Sequence, residues 1–331
     1  MRLVGRGTTV LLSVLVLAAA GCGSSTAPQA GQLVSGDGAY PVQLPDGRLA
    51  WLFGDSLVRT PGGRDRLVHS GIVVPSASGG TAATVVGGTP DQPADLIPSG
   101  TPQRVIWPAA GFVEDGQLQV FAEEISIAGG GFHSTGRRFQ VTLSLPDLRV
   151  TTRSEVYGGE ISWGHAVLVQ GNDVYVYGNH EIDGWTNTTY LARFTLGASR
   201  GPWRFWDGER FQMSPLRAAP LEGPDGRSQV AKLASVLGGT GGIAAFTIDP
   251  CGTTIDVRVA TQPWGPFSAK RAVYSIPERN PYLPRAYQDG DQIRIAYSIP
   301  QAMPRTVRVS ADAAPAFTTD DRIPRHCTAE W

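Results

Sequence analysis

The chain is short of charge. Of its 331 residues only 17 % are charged, against the roughly 25 % usual in soluble domains. Among 28 basic residues only Lys232 and Lys270 are lysines, and the net charge is -1. No basic stripe is present, so nucleic acid is not an expected partner. Cysteine is scarce too, with Cys22, Cys251 and Cys327 as the whole supply. No second pair of ligands stands at zinc spacing, and there is no HExxH and no EF-hand pattern. Neither a metal nor an organic cofactor is expected. A Gly-x-Ser-x-Gly elbow is also missing, which argues against serine-hydrolase chemistry. No segment sustains a 3.6-residue period, so helix content should be low.

What is abundant is glycine (41) and proline (25), the punctuation of short strands and many turns. Residues 1–22 read as a targeting segment. Arg2 and Arg6 give a positive start, and residues 8–20 form an apolar core too short for a typical spanning helix. Ala19-Ala20-Gly21-Cys22 resembles a bacterial lipobox, which implies cleavage before Cys22 and lipidation of its thiol. The chain is then expected to be exported and lipid-anchored to the outer face of the cytoplasmic membrane. Residues 23–32 read as a flexible tether and residues 33–331 as one folded domain. In an oxidising compartment Cys251 and Cys327 are a candidate disulfide.

Residues 35–56, SGDGAYPVQLPDGRLAWLFGDS, carry the densest signal. Two apolar runs flank Pro45-Asp46-Gly47, a tight-turn signature, so a β-hairpin is predicted. Asp37 lies before the first strand and Asp55 after the second. Antiparallel pairing folds the chain back at the turn and brings these two carboxylates together. Paired carboxylates suit acid/base or nucleophilic work on a glycosidic bond. Asp-Gly and Gly-Asp are also ordinary turn residues, which is the competing reading for either Asp alone.

The hairpin recurs at residues 105–124, 161–180, 231–250 and 282–300. Turns fall near residues 46, 115, 171, 241 and 289, a spacing of about 50–70 residues, as in propeller blades. Further strands are expected over 71–75, 83–86, 139–145, 150–157, 190–196, 210–213, 255–260, 272–276 and 306–310. Four strands in each of five units predict an all-β, five-bladed β-propeller. A pair of β-sandwiches is the rival, but it does not predict five copies of one hairpin. Residues 87–104 and 128–137 read as loops, the latter a hairpin tip or a cover over the site.

In such a fold one channel mouth collects the starts of first strands and the ends of second strands. That places Asp37 and Asp55 with His69, Trp107, Glu123 or Glu124, Trp163, His165, Asn179, His180, Lys232, Tyr282, Arg285 and Tyr287. Strand alternation allows only one of Glu123 and Glu124 to face inward, and Glu124 is taken as the site residue. Aromatics, carboxylates, His and Asn together suit a sugar, whose apolar faces stack while its hydroxyls hydrogen-bond. Trp107 and Trp163 serve equally well as core, and His165 as a satisfied core histidine.

With these residues in view, the chain resembles five-bladed furanosidase-type propellers related to bacterial endo-D-arabinanases. The likeness rests on GDGAYPVQLPDGRLAWLFGDS, LVHSG, RVIWP, WGHAVLVQGNDVYVYG, YLARF and WGPF, which span most of residues 33–300. It implies that Asp37 and Asp55 are the catalytic pair. The chain departs from that pattern at Ala109-Ala110, where an aspartate is usual, and at Ser70, where an asparagine is usual. The expected function is cell-envelope hydrolysis of a furanose polysaccharide, arabinan above all, by a monomer. The alternative is a non-catalytic sugar-binding or scaffold lipoprotein on the same fold.

Overall fold

The computed structural model describes residues 29–182, 187–224, 229–233, 242–248, 252–289, 292–300 and 302–309. Cys22, Cys251, Cys327 and the targeting segment lie outside the described residues, as does the side chain of Lys232. The described structure is all-β, with two short 3-10 turns, Ala128–Gly130 and Pro215–Arg217. No helix among the described residues is long and apolar enough to cross a membrane.

The opening hairpin forms as its sequence dictates. Strand Tyr40–Gln43 pairs antiparallel with Leu49–Phe53, Tyr40 facing Leu52 and Gln43 facing Leu49. The turn closes with Leu44 N–H on the Arg48 carbonyl (2.8 Å) and Gly47 N–H on the Leu44 carbonyl (3.0 Å). Tyr40 and Val42 on one strand, and Ala50 and Leu52 on the other, are buried. This alternation buries one face of the pleat and so pins the register.

Four further sheets repeat the pattern. They begin with strands Arg104–Glu114, Ser162–Gln170, Gln229–Leu233 and Tyr282–Asp289. Each pairs with the strand that follows it in sequence. The five leading strands neighbour one another in cyclic order, Tyr282–Asp289 lying beside Tyr40–Gln43. Apolar clusters fill the gaps between successive sheets. Leu52, Ile106 and Val120 join the first to the second, Phe121, Trp163 and Phe205 the second to the third. Tyr177, Val230 and Ile243 join the third to the fourth, Phe246, Ile255 and Ile295 the fourth to the fifth. Between fifth and first, Tyr287 meets Trp51 edge-on at 5.1 Å and Arg285 lies over the Tyr40 ring at 3.8 Å. Large aromatics dominate these seams because they bury the most area per residue.

Three features depart from expectation. Residues 23–32 were expected as a tether, yet Gln29–Ala30 pairs with Ala83–Val85 and strand begins again at Gln32. Any tether therefore ends before Gln29. A small three-stranded sheet of Gln32–Gly36, Ser56–Arg59 and Asp65–Val68 also extends the opening hairpin beyond its aspartates. Its outer turn holds Pro61-Gly62-Gly63, a turn signal that the repeat pattern overshadows. The third sheet gains Arg204–Trp206 as a fourth strand, with Phe211–Gln212 as a fifth.

Candidate active site

Asp37 and Asp55 sit where the opening hairpin runs into the small sheet. Asp37 N–H donates to the Asp55 carbonyl (3.1 Å), and Gly54 N–H donates to the Asp37 carbonyl (3.0 Å). The pairs Gly36–Ser56 on one side and Tyr40–Leu52 on the other keep one register, so Asp37 stands directly opposite Asp55. Gly38 and Ala39 follow Asp37 with φ of 84° and 43°. Two successive left-handed residues demand a glycine at least once, and they turn the chain from the aspartate into the hairpin. Gly54 is required for space. A Cβ there would lie 2.7 Å from Asp37 Oδ1 and 3.9 Å from Trp107 Cδ1.

The two carboxyls have different environments. Burial, then the charge of Asp55, pushes the Asp37 carboxyl up from 3.8 to about 7. Tyr282 O–H donates to Asp37 Oδ2 at 3.4 Å and, with the Arg285 charge, only partly offsets this rise. Asp55 keeps a quarter of its side chain exposed. Its Oδ1 accepts from Trp107 Nε1–H (2.7 Å) and lies 2.7 Å from His69 Nδ1. The Asp55 hydrogen bond raises the His69 pKa. His69 is itself anchored, its backbone N–H donating to Asp95 Oδ1 (2.6 Å). Such a pair can divide labour: one carboxyl holds a proton near neutral pH, the other offers an oriented oxygen.

Other expected site residues fall in three groups. Trp107 and His69 touch Asp55 directly. Arg285 and His165 lie at the Tyr40 ring, the latter edge-on at 6.3 Å. Arg285 is wholly buried, burial lowers its pKa, and its charge acts on Asp37. Glu124, Trp163 and Asn179 are placed elsewhere. Glu124 is buried and held by Arg104 (2.7 Å), Arg137 (3.2 Å) and Thr135 Oγ1 (3.1 Å). Its neighbour Glu123 opposes Trp107 across the strand pair and so takes the site face, held by Arg138 (3.1 Å) and Ser162 Oγ (2.9 Å). Trp163 is core against Trp203 and Phe205. Asn179 opposes Ser162 and donates from Nδ2 to Asn187 Oδ1 at 3.5 Å.

The departures from the furanosidase pattern also have places. Ala109 and Ala110 form the register shift between Pro108 and Gly111, and Ala110 is buried. Equivalent shifts follow Trp163 and Tyr282 on their leading strands. Ser70 is buried, its Oγ accepting from Ile97 N–H (2.9 Å), and so ties residues 87–104 to the sheet. Asp95, in that same loop, and the direct bond of Tyr282 to Asp37 are the contributions that sequence reasoning missed. An aspartate in a Pro/Gly-rich loop gives no signal of its own.

Solved structures of similar fold include a Bacteroides ovatus protein described as "a putative hydrolase". It matches at 14 % identity with a TM-score of 0.69 over 85 % of this chain and 86 % of that one. CoXyl43, a GH43 β-xylosidase/α-arabinofuranosidase from a compost microbial metagenome, matches at 11 % identity and TM-score 0.51, over 86 % and 94 % of the two chains. The GH43_1 enzyme from Xanthomonas citri matches at 14 % identity and TM-score 0.50, over 82 % and 84 %. At such identities these likenesses speak for the fold alone. A search of curated proteins found no match. The family model described as "Domain of unknown function (DUF5005)" matches residues 27–303, and the chain belongs to that family.

Proposed function

We propose that the protein is a glycoside hydrolase of furanose polysaccharide, arabinan above all, built on a five-bladed β-propeller. The cyclic order of five leading strands supports that architecture. The observation that carries the activity is the backbone pairing that sets Asp37 opposite Asp55, with one carboxyl raised to about 7 beside the other. Asp37, protonated near neutral pH, donates to the glycosidic oxygen of the leaving sugar. Asp55, oriented by Trp107 and His69, draws a proton from the attacking water. Export and anchoring through Cys22 would place this chemistry at the cell envelope, on polysaccharide outside the cytoplasmic membrane.

The test is incubation of the full chain with purified arabinogalactan and with galactan, followed by chromatography of released oligosaccharides. Wild type should release arabino-oligosaccharides, and Asp37→Asn and Asp55→Asn should release none while keeping their fold. Full activity in either variant would overturn the assignment. Tight binding without cleavage would instead favour the sugar-binding reading, for which the lack of a carboxylate at Ala109-Ala110 is the supporting observation.

A further inference from the structure

The strands Gln117–Ser126 and His133–Leu143 are joined by a tip at the same end of their sheet as Trp107. Ile127 N–H on the Gln103 carbonyl (2.9 Å) ties down the base of this tip. Beyond it come Gly129, Gly130 and Gly131. The first two hold φ of 78° and 81°, and no atom lies within 4 Å of where their Cβ atoms would be. Such a backbone is open and readily re-aimed.

What the tip presents is Phe132. It is 57 % exposed. Its ring centre lies 5.2 Å from that of Trp107, with the planes tilted by 38°. The two rings therefore form adjacent panels rather than a closed stack. Trp107 in turn bonds Asp55 through Nε1. From the reaction centre outward, the order is carboxylate, indole, phenyl.

The charge around the tip narrows the ligand. Arg138 at these strand ends is paired with Glu123, and beside it stand Arg104 and Arg137. Glu124 binds both of them, and Glu155 binds Arg137 a second time at 2.8 Å. With their charge matched by carboxylates, these arginines offer little to a uronate or a sugar phosphate. Aromatic panels with compensated charge fit the C–H face of a neutral sugar.

We infer that Trp107 and Phe132 form a flanking subsite that stacks a second, uncharged sugar ring of a polysaccharide chain beside the Asp37–Asp55 pair. This inference rests on the glycosidase reading of the pair, and its test separates the two.

Phe132→Ala and Phe132→Tyr are compared with wild type on arabinan and on an aryl arabinofuranoside. The ratio of kcat/KM between polymer and aryl substrate should fall about tenfold in Phe132→Ala, the equivalent of roughly 1.4 kcal/mol. The loss should fall in KM, and Phe132→Tyr should restore it. In an Asp37→Asn background, calorimetry with arabino-oligosaccharides of increasing length should show affinity growing with length only when Phe132 is present. Cleavage with an unchanged ratio and length-independent binding would overturn the subsite and leave the glycosidase reading standing. Absence of cleavage with Phe132-dependent binding would overturn the glycosidase reading and leave the subsite standing. Loss of both would overturn both.

Discussion

Replacing Asp37 by asparagine removes one titratable proton while keeping the shape of the side chain. The folded protein holds this carboxyl at about 7, against 3.8 for an unburied aspartate. The ionised form is thus disfavoured in the fold by about 4 kcal/mol, at 1.36 kcal/mol per unit. The sign follows from linkage. Well below pH 3.8 the group is protonated folded and unfolded alike and costs nothing. As pH rises from about 4 to about 7 the unfolded chain ionises first and is favoured, so stability is lost through that window. Asparagine does not ionise. Asp37→Asn should therefore melt with wild type near pH 4 and above it at pH 8. The gain should approach about 8 °C, at roughly 2 °C per kcal/mol for a chain of this size. Thermal melts by circular dichroism at half-unit pH steps measure it. A difference that stays flat from pH 4 to pH 8 would refute the raised proton affinity, and with it the role of Asp37 as acid. The same proton sets the alkaline limb of kcat/KM, which should fall with a midpoint near pH 7.

Three further outcomes follow from the same contacts. Trp107→Phe keeps an aromatic ring but deletes the Nε1–H on Asp55. It should lower kcat about tenfold or more, since a hydrogen bond to a charged group contributes roughly 1.5–3 kcal/mol, and steady-state kinetics on arabinan will read it. Gly54→Ala puts a methyl 2.7 Å from Asp37 Oδ1. It should cut activity sharply while far-UV circular dichroism stays native, and an active Gly54→Ala enzyme would show that Asp37 has slack. His69→Gln removes an ion pair present only when the imidazole is charged. Because the folded pKa of His69 is raised, the pair's stabilisation is whole below pH 6.5 and fades as pH climbs past the folded value. The variant should thus lose melting temperature at pH 5.5 and approach wild type at pH 9.

The legible part of this protein is local. Pro45-Asp46-Gly47 and the alternation on either side specify a hairpin and its register without help from the rest of the chain. Strands expected over 71–75, 83–86, 255–260 and 306–310 appear within a residue or two of those bounds for the same reason. The small sheet beyond Asp37 was not legible, because its strands Gln32–Gly36 and Ser56–Arg59 continue runs that already read as hairpin flanks. Alternation told that one of Glu123 and Glu124 faces the site, and the expectation fell on Glu124, whereas it is Glu123 that pairs with Trp107. Arg104 and Arg137 arrive from neighbouring strands and claim Glu124.

The juxtaposition of Asp37 and Asp55 was decided by sequence alone, since antiparallel pairing about a tight turn leaves their backbones no other place. Their chemical inequality was decided by tertiary structure. Trp107 reaches Asp55 across 52 residues and Tyr282 reaches Asp37 across 245. Burial of one carboxyl and hydrogen bonding of the other depend on how the sheets pack against one another. Pairing is a property of a short segment, whereas desolvation is a property of everything that surrounds it.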